Sequence, residues 1–183
     1  MFESHITVEN EIGFVEKCKL NNIKSVLIAN DSGSNYINQS MTASFHKTND
    51  FEFAFQQMKK ISSLFKNVIR NKLEKIVSKK TKINFDYKYK EFHSKFIIKD
   101  FQHDEFLHII LSNGGHTSTN LSKGSNFRFF TTRDEKLHDF ILKKLKSKFE
   151  YLGTIREVVV YDDNPNIDSN YICKECPLKK YVN

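Results

Sequence analysis

The chain has 183 residues, 39% of them hydrophobic and including 17 Phe and 7 Tyr, enough to build a core in one domain or two small fused ones. Three cysteines are an odd number for a disulfide scaffold, and no apolar run approaches the roughly 18 residues of a membrane span. The formal net charge of +7 favours an anionic partner such as a nucleotide or nucleic acid, although an AT-rich coding bias toward Lys, Asn, Ile and Phe gives the same excess.

The start of the chain lacks the basic and apolar regions of a secretory leader, so a cytoplasmic protein without membrane contact is expected. Residues 3–8, Glu3-Ser4-His5-Ile6-Thr7-Val8, read as a strand in which Glu3 and His5 share one face. A short helix is expected over 10–20 with Asn10 as its N-cap, followed by an apolar strand at 23–28 (IKSVLI). Asn30, Asp31, Ser32 and Gly33 mark a turn into a strand at 40–47 (SMTASFHK). Asp50 can cap the next helix, whose Phe51, Ala54, Phe55, Met58, Ile61, Phe65 and Val68 recur at helical spacing. A strand at 69–74 ends this half, and the polar segment 78–84 (SKKTKIN) links it to the next.

The second half opens on Glu91-Phe92-His93, again a Glu and a His two positions apart. The stretch 99–105 is too short for more than a turn, 106–111 (FLHIIL) reads as a strand, and 113–120 as a loop of small and polar residues. A strand at 126–133 (NFRFFTTR) precedes Asp134, the cap of a helix presenting Leu137, Phe140, Ile141, Leu145, Phe149 and Leu152. A strand at 155–160 completes the set.

Segments matching in this order predict an internal duplication. The expected fold is α+β, with two ferredoxin-like halves, βαββαβ and βββαβ, having antiparallel sheets and helices on one face. The halves span 1–77 and 85–163 in one compact unit, and an irregular tail, 164–183, carries Cys173 and Cys176, half of a zinc-ribbon pattern.

His5-Ile6-Thr7-Val8 has the form His-x-Thr-apolar. On that motif and its doubled strand setting, the chain resembles the two-histidine phosphoesterases, whose pseudo-symmetric lobes each contribute a strand with His-x-Thr or His-x-Ser. The resemblance implies an enzyme acting on a nucleotide or RNA phosphate without a cofactor. His5 and His93 would then be acid and base, with Thr7 and Lys95 holding the phosphate. His93-Ser94-Lys95 departs from the pattern by placing Lys95 at the hydroxyl position, whereas His116-Thr117-Ser118 keeps His-x-Ser. Gly114, Gly115, His116 and Ser118 form a candidate anion nest, with Arg128 and Arg133 as bidentate partners for substrate. An odd separation along a strand turns those two arginines to opposite faces.

Other readings stay open. Glu3, His5, Glu91 and His93 are also suitable ligands for a divalent metal, Fe, Mn, Ni or Zn, in outline similar to the paired modules of the glyoxalase-type family. A helix after the third strand departs from that family. Glu91-Phe92-His93-Ser94-Lys95 is similar to the Glu-x-Glu-x-Lys opening of triphosphate-tunnel enzymes with one Glu replaced. A polar seam of hydrogen-bonded Glu-His pairs needs no chemistry at all. A non-catalytic basic module for nucleic acid or an acidic protein accounts for the charge, and Phe127 and Phe129 around Arg128 fit either a base-stacking strand or the core.

Overall fold

The computed structural model describes residues 1–9, 11–31, 38–121, 124 and 126–171. The expected Asn10 cap, the Ser32 and Gly33 turn and the Cys173 and Cys176 pair lie outside these residues. The elements are β1 (Phe2–Val8), α1 (Phe14–Leu20), β2 (Lys24–Asn30), β3 (Asn38–His46), α2 (Phe51–Ser62), β4 (Val68–Val77), β5 (Tyr89–Ile97), α3 (His103–Leu111), β6 (His116–Asn120), β7 (Phe127–Thr132), α4 (Glu135–Lys146) and β8 (Glu150–Asp162). A 3-10 turn, Asp100–Gln102, leads into α3, and a 3-10 segment, Pro165–Tyr171, follows β8. Among the described residues no helix is long and apolar enough to cross a membrane.

The chain folds as two compact units. Unit 1 comprises Met1–Ile28, Asn38–Lys90 and Arg156–Pro165; unit 2 comprises Glu91–Ile155 and the stretches that begin at Ala29 and Asn166. In unit 1, β1 lies between β3 and β4, with Phe2 opposite His46 on one side and His5 opposite Lys72 on the other. Alternation along β1 sends Phe2, Ile6 and Val8 into a core with Phe14 and Cys18 of α1, Ala54 and Met58 of α2, and Leu73 of β4. Asp50 caps α2, accepting a hydrogen bond from the Phe53 amide at 3.1 Å, which satisfies one of the amides a helix start leaves open.

In unit 2, β7 pairs with β5 and β6. Phe96 and Phe130 from those strands pack with Phe106 and Ile110 of α3 and Ile141 and Leu145 of α4, all fully buried. Asp134 caps α4 through the Leu137 amide at 2.9 Å. His138 is buried in this layer and satisfied by Ser94, whose Oγ lies 2.8 Å from its Nε2.

Three expectations are corrected. Residues 106–111 are helix, not strand: Phe106 and Ile110 are fully buried and Ile109 packs against the same core, while His108 faces solvent. That is the i, i+3, i+4 stripe of a helix, since a strand would bury 106, 108 and 110 together. The strand of this region is β6, inside the stretch read as a loop. The segment match on which the internal duplication rested therefore fails, because 23–28 lies in a strand and 106–111 in a helix.

The expected pair of ferredoxin-like halves with helices on one face is also overturned. Strand pairing runs β1-β3-β2-β6-β7-β5-β8-β4 and closes into an antiparallel barrel. The reason lies in strand length. β8 has 13 residues where only 155–160 was expected, and it carries on from unit 2 into unit 1. Separate sheets would leave edge rows of unpaired amides and carbonyls, which closure removes.

Candidate functional site

Each unit carries one Glu-x-His strand. In β1, Glu3, His5 and Thr7 occupy the face opposite the core residues, and antiparallel pairing sets Glu74, Lys72 and Arg70 of β4 across from them. His5 Nδ1 lies 3.0 Å from the carbonyl oxygen of Thr42. A carbonyl can only accept, so Nδ1 carries the hydrogen and donates it, and Nε2 is the nitrogen that can exchange a proton.

Nε2 is 3.0 Å from Glu74 Oε2 and 3.7 Å from Glu3 Oε1. The other Glu74 oxygen, Oε1, is 2.6 Å from Lys72 Nζ. The Glu74 side chain is 1% exposed, whereas those of His5, Glu3 and Lys72 keep 12, 11 and 10%. The carboxylate that anchors the cluster is therefore sealed, and the three groups around it retain accessible surface.

Burial alone would depress the His5 pKa, but the hydrogen bond and charge of Glu74, with the charge of Glu3, outweigh it and hold the imidazole above its ordinary value. Glu3 is raised as well, first by burial and then by the negative charges of Glu157 and Glu74, against the opposing pull of His5. Both shifts run in the same direction, favouring the protonated forms of His5 and Glu3.

Thr7, opposite Met41 and Arg70, is 1% exposed. Arg70 makes a bidentate contact to Asp162, Nε at 3.0 Å and Nη2 at 2.7 Å, and Nη2 also donates to Tyr89 Oη at 2.9 Å. Tyr89 in turn donates to Asp162.

In β5 of unit 2, Glu91 and His93 are likewise neighbours on one face, with His93 Nε2 3.4 Å from Glu91 Oε2 and Nδ1 2.9 Å from Thr131 Oγ1. Glu91 Oε1 accepts from Arg133 Nε and Nη2, both at 3.2 Å, and Arg133 Nη2 lies 3.4 Å from Asp168 Oδ2. Register brings further expected residues onto this face. His93 and His116 both pair with Thr131, and Lys95 and Ser118 both pair with Phe129.

Other expected residues do not join it. Arg128 pairs with Phe96, on the opposite face, and lines a shallow surface crevice with Lys99, Asp100 and His103. Gly114 takes φ 78° just after α3, a conformation that suits glycine at a helix end. Gly115 packs so closely that a Cβ there would stand 2.6 Å from Phe130 Cε2 and 2.8 Å from Ile110 Cγ2. The two glycines end a helix and admit an aromatic ring, which accounts for them without an anion nest.

The phosphoesterase reading is overturned by the same contacts. A phosphate beside His5 Nε2 would set its negative charge against the carboxylates of Glu74 and Glu3, and beside His93 it would meet Glu91. Thr7 is sealed, and Lys95 Nζ lies over the Phe129 ring, 5.7 Å from its centroid. The four metal ligands of the alternative reading divide two and two between the units. In unit 1 a cation would compete with Lys72 for Glu74 and with a proton for His5; in unit 2 Glu91 already gives one oxygen to His93 and the other to Arg133.

Sequence reasoning missed Lys72, Glu74, Thr131 and Asp168 as site residues. For the first two a signal existed: Arg70, Lys72 and Glu74 alternate as charged residues along a strand, as Glu3 and His5 do in β1.

No family model matches the chain, and no curated protein matches it. Among solved structures, a protein described as a candidate monooxygenase from Lactobacillus acidophilus NCFM is similar at 10% identity and a TM-score of 0.32, over 87% of this chain and 92% of that one. An anthrone oxidase-like protein is similar at 9% identity and TM-score 0.29, over 88% and 92%. The acetolactate synthase small subunit from Thermotoga maritima is similar at 12% identity and TM-score 0.30, over 87% and 94%. None of the three is described as a phosphoesterase, and likeness at these scores assigns this chain no function.

Proposed function

We propose that the chain binds a small polar molecule against the β1–β4 face of unit 1 and exchanges a proton with it at His5 Nε2. The observation that carries this reading is the placement of one imidazole, with Nδ1 anchored on the Thr42 carbonyl and Nε2 set against two carboxylates, on a side chain that keeps accessible surface. The roles follow from the contacts. His5 donates or accepts the proton. Glu74, sealed and 3.0 Å away, stabilises the imidazolium, and Lys72 Nζ lies 2.6 Å from its other oxygen. Glu3, its carboxyl raised by burial, stands 3.7 Å from the same nitrogen. Such a face suits a carbonyl or an ionisable hydroxyl, whose oxygen can accept a hydrogen bond before the proton moves.

The test is side-chain nitrogen NMR of His5 during titration with a panel of small ketones and phenols, with matched hydrocarbons as controls. Binding by the oxygenated compounds should shift the Nε2 signal, and H5Q should weaken it by about tenfold, the scale of one charge-assisted hydrogen bond. Equal binding by the hydrocarbons, or binding that H5Q leaves unchanged, overturns the reading.

A cytoplasmic location belongs to the same proposal. Cys18 is a buried free thiol, pushed up to about 11 by burial first and by the charge of Glu11 second, and three cysteines suit a reducing compartment.

A further inference from the structure

We infer that the face carrying His5 takes a ligand whose oxygen is borne directly on a flat apolar group, an aryl ketone or a phenol, and that Phe45 of β3 selects it. The selection rests on the proton-exchange reading of His5, to which it adds the class of ligand.

β1 lies between two strands of opposite character. On its β4 side the residues level with Glu3, His5 and Thr7 are Glu74, Lys72 and Arg70, all charged. On its β3 side the residues level with Glu3 and Thr7 are Phe45 and Met41, and the same register sets Ala43 level with His5. Directly opposed residues of antiparallel strands share a face, so the face that carries His5 is charged on one flank and apolar on the other. A molecule joining an oxygen to an apolar body meets both flanks at once.

The apolar flank stands apart from the core, which Phe2, Ile6 and Val8 build with α1 and α2 on the opposite face of β1. Phe45 is 50% exposed, whereas Ala43 is buried and Met41 partly buried, so the accessible apolar surface of the flank is concentrated in one ring. A single exposed apolar side chain marks nothing by itself. Phe45 differs in its neighbours: it stands level with Glu3, whose Oε1 is 3.7 Å from His5 Nε2. His5 and Phe45 are diagonal neighbours on paired strands, a separation of about 7–8 Å that aromatic side chains can bridge. An aryl group attached to the carbon that bears the oxygen spans that interval. Its ring would lie against Phe45 while its oxygen met His5 Nε2. A puckered alkyl ring of the same size covers similar area but lacks the favourable geometry of an aromatic pair, so the selection is for flatness.

The probes are acetophenone and cyclohexyl methyl ketone, which share a skeleton and an oxygen and differ in flatness. Side-chain nitrogen NMR of His5 in the full chain follows the binding of both. Acetophenone should bind about fivefold more tightly, the scale of one aromatic pair, and its ring protons should give nuclear Overhauser effects to Phe45. F45L, which keeps an apolar side chain but removes the ring, should reduce that preference to about twofold or less, and F45Y should preserve it. Equal affinity of the two ketones in wild type, or a preference that F45L leaves intact, overturns the selection and leaves the His5 reading standing. Failure of both ketones to shift the His5 signal overturns the two together. The wild-type comparison needs no variant, so the decision stands even if a thermal melt shows F45L to be unfolded.

Discussion

At His5 burial and pairing pull in opposite directions, and pairing prevails because Glu74 is itself sealed and 3.0 Å away. The consequence for stability has a definite sign. The folded state holds the His5 proton more tightly than the unfolded chain, so the stabilising contribution is complete below 6.5 and is lost as pH rises through the higher folded value. Glu3 acts in the same sense from a lower starting point, its contribution fading as pH rises from 4.5 through its raised folded value. Urea unfolding of wild type and H5Q should show the wild-type advantage largest below pH 6.5 and shrinking as pH climbs, whereas an advantage that grows with pH would mean that no imidazolium pair exists. E74A should destabilise at every pH near neutrality by roughly 3 kcal/mol, since it strands the charges of Lys72 and His5. Alternation alone made the Glu3 and His5 juxtaposition readable in the sequence. Their partner Glu74 was not readable as such, because strand register depends on contacts distant along the chain.

α3 and its exit show where local pattern stops deciding structure. Six apolar-rich residues, 106–111, satisfy a strand and a short buried helix equally well on periodicity, and only the packing of Ile109 beside Phe106 and Ile110 separates the two. Both long helices, by contrast, carried readable signals: Asp50 and Asp134 cap them, and their apolar residues recur at helical spacing, although Phe65, Val68, Phe149 and Leu152, expected in the same stripes, lie beyond the helix ends, Val68 in β4 and Leu152 in β8. Gly114 and Gly115 drew attention as a candidate anion nest, yet their surroundings are a helix end and a phenylalanine ring. A methyl group at residue 115 would meet Phe130 and Ile110, both at 0% exposure and with no room to retreat. G115A should therefore cost about 1–3 kcal/mol, the range for overpacking a well-filled core. The exposed cap variant D134A should cost about 1 kcal/mol. Thermal melts of the two variants check the order, and a G115A melt matching wild type would show that the connection can relax.

At the scale of the whole molecule, the two units are not consecutive pieces of chain. β2 and β8 each begin in one unit and end in the other, and unit 1 is completed by Arg156–Pro165 from near the end of the described chain. A sequence read left to right suggests consecutive halves, because among the residues that extend β8 beyond its apolar stretch Glu150, Gly153 and Asp162 give no strand signal of their own. Shared strands should tie the units into one unfolding event. Asp162 at the end of β8 tests this, because it grips Arg70 of β4 within unit 1. Burial would push its carboxyl up, but the Arg70 hydrogen bond and charge, with the Tyr89 hydrogen bond, hold it below the ordinary value. Its stabilisation is thus present above 3.8 and is lost as pH falls through the lower folded value. D162A should destabilise the protein by roughly 3–5 kcal/mol near neutral pH, leaving the buried Arg70 guanidinium without its carboxylate, and the difference from wild type should narrow below pH 3.8. The chain has no Trp, so tyrosine fluorescence and far-ultraviolet circular dichroism are the two probes to compare. If strand continuity couples the units, D162A moves both curves together along one transition. Two separated transitions, with only the first displaced by D162A, would mean that each unit unfolds by itself despite the strands they share.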